Sequence, residues 1–199
     1  MGDEMTARVL TTLLLSFAVG TAVAANGSAT GSKSAPTLTV NDSVTIGAAP
    51  DIVWSTVRDY DAPSVWDPSI TSTTLTHGKN NSPGARRHMT TDEGATIDDT
   101  LTAWNAHKRE FATRTIHPAL PVRHYRQRIR VEPTRSGTRL LWQASFQAAP
   151  DTDPAKARKA VKHRIHRALI HVKHMLGTNN NPSAAPSAPS DKTADNSGL

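Results

Sequence analysis

Apolar and polar residues fall into a regular alternation from residue 38 onward. Leu38, Val40, Val44 and Ile46 alternate with Thr39, Asn41, Ser43 and Thr45, which predicts a half-buried strand over 38–46. Gly47, Ala48 and Ala49 end it. Pro50 and Asp51 open a short helix, because proline's fixed φ suits a first turn, and Val53, Trp54 and Val57 form its buried side. Pro63 and Pro68 then break the chain around Trp66. A weakly patterned, threonine-rich stretch spans 70–76, and Asn80 to Gly84 is a turn signal. Five more strands are predicted over 86–91, 96–104, 110–116, 123–132 and 139–147. Asp92-Glu93-Gly94, residues 105–108 and Arg135-Ser136-Gly137 connect them as hairpins.

In the strand over 123–132, Tyr125, Gln127, Ile129 and Val131 share one face, and His124, Arg126, Arg128 and Arg130 the other. In the strand over 139–147, Leu140, Trp142, Ala144 and Phe146 share a face. A period of two gives each strand one dry and one wet side. After Asp153-Pro154 the period changes. Val161, Ile165, Leu169, Val172 and Leu176 recur every three or four residues, which predicts one long amphipathic helix stopped at Gly177. Strands followed by one such helix give an α+β class: a curved antiparallel sheet of about seven strands with the helix laid across it.

The flanks read differently. Arg8, the apolar run Val9 to Val19 and Ala22-Val23-Ala24 have the order of a secretory signal over 1–24, so the expected location is periplasmic or secreted. Residues 25–37 read as a flexible leader and 177–199 as a disordered tail, which leaves one folded domain over 38–176. No anchor is expected after cleavage, the run being short for a membrane span. There are no cysteines, so disulfides and thiolate metal sites are excluded. The net charge is +6, and removal of 1–24 takes away Arg8, Asp3 and Glu4 and raises it to +7. Such a charge favours an acidic partner or an anionic surface. Export, and the lack of aromatics among the helix charges, argue against nucleic acid.

The order of elements, a strand, two short helices, a six-strand meander and a long C-terminal helix, resembles the helix-grip superfamily, which includes polyketide cyclases/dehydrases, START lipid-transfer domains, birch-pollen-type allergens and plant abscisic-acid receptors. The residues that carry the likeness run from Val44 to Pro50, from Val53 to Tyr60, at Trp66, from Gly84 to Arg87 and from Ile97 to Leu101. The stretches Leu120 to Tyr125 and Leu141 to Phe146, with the signal segment, are further similar to periplasmic MxaD-type accessory proteins of methanol oxidation. That narrower likeness implies assistance to electron transfer between a dehydrogenase and an acidic redox partner. The family likeness implies a small hydrophobic molecule or lipid as ligand.

Four sets of residues are candidates. A bent sheet closed by one helix leaves either a ligand cavity or a filled core, with Met89, Leu101, Tyr125, Trp142, Phe146, Ile165 and Leu169 facing it. Arg87 shares a face with Met89, and Asp99 with Leu101. Together with Tyr125 and Gln127 they either orient a ligand and move a proton, or form a structural pair. Arg126, Arg128 and Arg130, with Lys159, Lys162 and Arg167 of the helix, are either a partner-binding basic face or solvated charge. The pairs His163/His166 and His171/His174 have metal-compatible spacing. They lack a neighbouring carboxylate and are flanked by cations, so no metal and no cofactor is expected. No nucleophile elbow, phosphate loop or zinc spacing is present. The leading expectation is a non-enzymatic binding or accessory protein. The alternatives are a cyclase or aromatase using Arg87, Asp99 or Tyr125, and a lipid carrier.

Overall fold

The computed structural model describes residues 35–178. The expected signal segment over 1–24, nearly all of the leader and the tail from 179 lie outside the described residues. The described chain runs β1 (Leu38–Ile46), α1 (Pro50–Val57), a single 3-10 turn (Pro63–Val65), β2 (Ile70–His77), β3 (Arg86–Thr91), β4 (Thr96–Asn105), β5 (Glu110–His117), β6 (Val122–Thr134), β7 (Gly137–Ala148) and α2 (Pro154–Thr178). All seven strands join one antiparallel sheet in the order β1-β7-β6-β5-β4-β3-β2. The meander from β2 to β7 needs only local connections, and β1 closes against β7 with Leu38 opposite Phe146 and Ile46 opposite Thr138.

The alternation sorts the two faces as the sequence predicts. Inward positions carry Val40, Val44, Leu101, Phe111, Ile129, Val131, Leu140 and Phe146, all buried. Helix α2 lies on this inner face, against β1 and β7, through Ala157, Val161, Ile165, Ala168, Leu169 and Val172. Its first turn is capped by Asp153, whose carboxylate accepts the backbone N–H of Ala155 at 2.7 Å and of Lys156 at 3.0 Å. No helix among the described residues is long and apolar enough to cross a membrane.

Two irregularities re-aim side chains. In β4 the register slips between Leu101 and Ala103, so Thr102 and Ala103 are exposed in succession and Trp104 turns back to meet Trp54, ring centroids 5.9 Å apart. In β6 it slips between Arg123 and Arg126, with His124 at φ 54°. The β6–β7 hairpin turns through Gly137 at φ 128°, and a Cβ there would strike the carbonyl oxygen of Ile46.

Candidate functional site

The space beneath α2 is largely filled. Trp142 meets Trp66 edge-on at 5.7 Å between centroids and donates its ring N–H to Gln127 Oε1 at 3.0 Å. Tyr125 stacks on Phe146 at 5.9 Å. Leu101, Ile165 and Leu169 sit in the same cluster, each at most 1% exposed. Met89 belongs to a separate small cluster with Ile70 and Ile97. The expected cavity lined by Met89, Leu101, Trp142, Phe146, Ile165 and Leu169 is therefore corrected to a packed core: the bulky aromatics meet across the space the bend creates.

Arg87 and Asp99 meet inside that core. The guanidinium bonds Asp99 Oδ2 at 3.0 Å, donates to the Tyr60 carbonyl, and lies 4.2 Å from the centre of the Tyr60 ring. Asp99 also accepts the hydroxyl of Thr115 at 2.6 Å and that of Thr113 at 3.5 Å. Tyr60 completes the group by donating its own hydroxyl to the Asp99 carbonyl at 2.9 Å. Both oxygens of Asp99 are thus occupied by protein donors. A carboxylate held this way is a structural partner of Arg87, because a buried charge without such bonds is strongly disfavoured. Burial also pushes the Tyr60 phenol well up, a shift that nearby Arg87 only partly opposes.

Among the described residues, an opening remains beside residues 160–167 of the helix. A cleft of about 220 Å³ runs between α2 and the β3–β4 and β5–β6 connections, walled by Ile97, Ala119, Leu120 and Ala160, with Arg164 and Arg167 on its helix side. It narrows to a pinhole of about 10 Å³ bordered by Tyr125, Thr115, Val122 and Arg164, no more than one water's worth of space. Of the ten expected ligand residues, Tyr125 alone reaches these two recesses. Its phenol is pushed well up by burial, partly offset by Arg164, so it stays a neutral hydrogen-bonding group.

Arg164 is not among the site residues expected from the sequence. The structure turns it into the cleft wall. Its Nε donates to Ser69 Oγ at 3.1 Å and its terminal nitrogen to Asp67 Oδ2 at 3.1 Å. The Ser69 hydroxyl and backbone N–H both bond Asp67 Oδ1, at 2.6 and 3.0 Å. Burial is the strongest single influence against the Arg164 charge, yet Asp67, with Tyr125 and Asp99 further off, holds the guanidinium above its ordinary value. One signal was available: Arg164 stands three residues after Val161 and four before Ala168, on the apolar stripe itself. Above it, Arg167 bonds Asp92 Oδ2 at 2.7 Å across the cleft mouth.

The predicted basic face is also corrected. Arg130 is neutralised by Glu110 at 2.9 Å and Glu132 at 3.3 Å, and Arg167 by Asp92. Lys159 and Lys162 border a shallow recess with Leu38 beside the helix, whereas Arg126 and Arg128 stand on the opposite face of the sheet. These residues cannot form one surface, because the helix covers the inner face and the arginines alternate outward. His166 lies 3.1 Å from Asp42, and no cluster of three or more metal-ligating groups occurs among the described residues.

A family model described as polyketide cyclase / dehydrase and lipid transport matches residues 37–176. Among solved structures, an uncharacterised protein from Bacillus thuringiensis is 25% identical, with a TM-score of 0.64 over 70% of this chain and 98% of that one. XoxI from Bacillus cereus is 21% identical, with a TM-score of 0.62 over 69% and 94%. Ara h 8.0201 is 15% identical, with a TM-score of 0.60 over 72% and 100%. The last two likenesses establish the helix-grip fold and nothing further. No curated protein matches the chain.

Proposed function

The chain belongs to the polyketide cyclase/dehydrase and lipid-transport family, and from that premise we propose that it is an exported, non-enzymatic protein that binds one small hydrophobic molecule or the end of a lipid. The observation that carries this reading is the cleft between α2 and the β3–β4 and β5–β6 connections. Its walls at Ile97, Ala119, Leu120 and Ala160 are apolar, and its volume of about 220 Å³ suits a single ring or a short acyl segment. Ser69, Thr91, Asp92, Glu93, His163, Arg164 and Arg167 line the rest of the cleft and would hold a polar end of the molecule, and the neutral Tyr125 phenol borders the pinhole beneath it. The charged pair best suited to catalysis, Arg87 and Asp99, is spent on itself and on Tyr60, Thr113 and Thr115, which favours binding over turnover.

Native mass spectrometry of the exported protein tests this. A co-purifying apolar molecule is expected, and Leu120→Trp, which fills the cleft, should remove it. Retention of the same molecule by Leu120→Trp would place binding elsewhere. Turnover of a cyclic precursor that disappears in Tyr125→Phe would replace the reading with the cyclase alternative.

A second reading is supported by the unpaired positive charge of the sheet's outer face: an MxaD-like accessory role in periplasmic methanol oxidation, with an acidic redox protein as partner. Its mechanism is electrostatic. The complex should weaken as salt rises past the range where screening shortens to about 10 Å, and a salt-insensitive complex would exclude it.

A further inference from the structure

A row of arginines crosses the outer face of the sheet. The register sets Arg86 beside Thr100, Thr100 beside Arg114, and Arg114 directly opposite Arg126. Arg128 follows two residues along β6, opposite Ala112 on one side and Gln143 on the other. All four arginines are exposed. Like charges directly opposed on neighbouring strands are unfavourable, and the nearby carboxylates among the described residues bond other groups. Asp98 is held between His88 and His117, with Nδ1 atoms 2.7 and 2.8 Å from its two oxygens. Glu110 and Glu132 both serve Arg130. Among the described residues, Arg86, Arg114, Arg126 and Arg128 have no ion-pair partner.

The backbone of β6 is bent to build this surface. Valine-to-tyrosine alternation would turn either Arg123 or His124 inward, but the bulge, with His124 in the left-handed region at φ 54°, exposes both before Tyr125 turns in. A non-glycine residue in that region is a cost that folds retain where the aimed side chains matter. Two shallow recesses, of about 430 and 390 Å³, meet at Arg126. The first has a floor of small polar residues such as Thr39, Thr102 and Ser145. The second includes Pro118 and Ile116, a large hydrophobic residue left 45% exposed. Arginine is enriched at protein interfaces and among their energetic anchors, where it packs beside apolar contacts. The recesses hold no phenyl, phenol or indole ring on which a base could stack, and no cluster of apolar side chains that could enter a bilayer.

We propose that the outer face of β5 and β6 is the docking surface for an acidic partner protein, whose carboxylates bond Arg114, Arg126 and Arg128 while one apolar side chain rests on Ile116 and Pro118. This rests on the accessory reading and names the surface it would use. The full chain is titrated against a fluorescent oligoglutamate peptide bearing one leucine, followed by anisotropy. Arg114→Ala/Arg126→Ala should weaken binding about tenfold. Lys159→Ala/Lys162→Ala, which removes the same charge from exposed helix positions, should change it by less than about twofold. Equal losses from the two pairs would mean that only net charge matters and would overturn the proposal. So would phosphatidylglycerol vesicles or a DNA duplex depending on Arg114 and Arg126 more steeply than the peptide does. If the double variant fails to fold, the single change Arg128→Gln set against Lys159→Gln carries the same comparison. A peptide that binds through the arginines while no redox protein forms a complex sinks the accessory reading and leaves this surface standing. The reverse outcome, a redox complex weakened only by the lysine pair, moves the partner to the helix.

Discussion

Arg87 and Arg164 are both drawn inward, but their surroundings ask different things of them. Arg87 is enclosed with Asp99 and cannot meet solvent or ligand, whereas Arg164 keeps one edge on the cleft. Asp99→Asn leaves the Arg87 charge buried without its counter-ion and should cost about 3–5 kcal/mol in urea unfolding. Asp51→Asn, which breaks the exposed pair with Arg109 at 2.8 Å, should cost less than about 1 kcal/mol. Equal losses would mean that the buried pair is not what organises this end of the core. The dependence on pH follows from three groups. Asp98 is held below its ordinary value of 3.8 by the bonds from His88 and His117. The stability it adds is therefore present above that value and lost as pH falls further, so Asp98→Asn should flatten the acid limb of a stability–pH curve. Tyr60 and Tyr125 are raised above 10.0, mainly by burial. Their contribution is complete below pH 10 and is lost as pH rises beyond it, and Tyr60→Phe should delay alkaline unfolding relative to its own neutral-pH stability.

At the scale of elements the order and type of every strand and of both helices were legible, because each follows from a period of two or 3.6 with turn residues between. The strand predicted over 123–132 extends to Val122–Thr134, and that over 139–147 to Gly137–Ala148, so the hairpin is tighter than its turn signal suggested. The reason is Gly137, which enters β7 itself at φ 128° and lets the turn pass close to Ile46. Gly137→Ala should lose about 1–3 kcal/mol in thermal or urea unfolding, a local strain cost, whereas a neutral result would show that the turn can relax away from β1. The bulges at Thr102 and His124 were not legible. Alternation in sequence carries no mark of the one residue at which the register slips.

For the whole molecule, the layer packing fills the space between sheet and helix and leaves recesses beside α2 and on the outer face of the sheet. The centre is occupied by Trp66, Trp142, Tyr125 and Phe146, so the proposed ligand would enter beside Leu120 and Arg164. Saturating ligand at about one hundred times its Kd should add roughly 2.7 kcal/mol to unfolding stability. The same addition to Leu120→Trp should leave its melting curve unmoved. A shift of equal size in both would place the ligand outside the cleft.

Strands and helices were legible in the sequence alone, because periodicity depends only on the neighbours of each residue along the chain; the family likeness rested instead on short motifs that keep their order from Val44 to Leu101. The tertiary structure decided what needs distances between remote residues. It filled the expected cavity with meeting aromatics, closed Arg87 on Asp99, and turned Arg164 into the cleft wall. It also divided the basic residues between two sides of a sheet, since charge counted along a chain says nothing of which charges share a face once helix and strands are stacked.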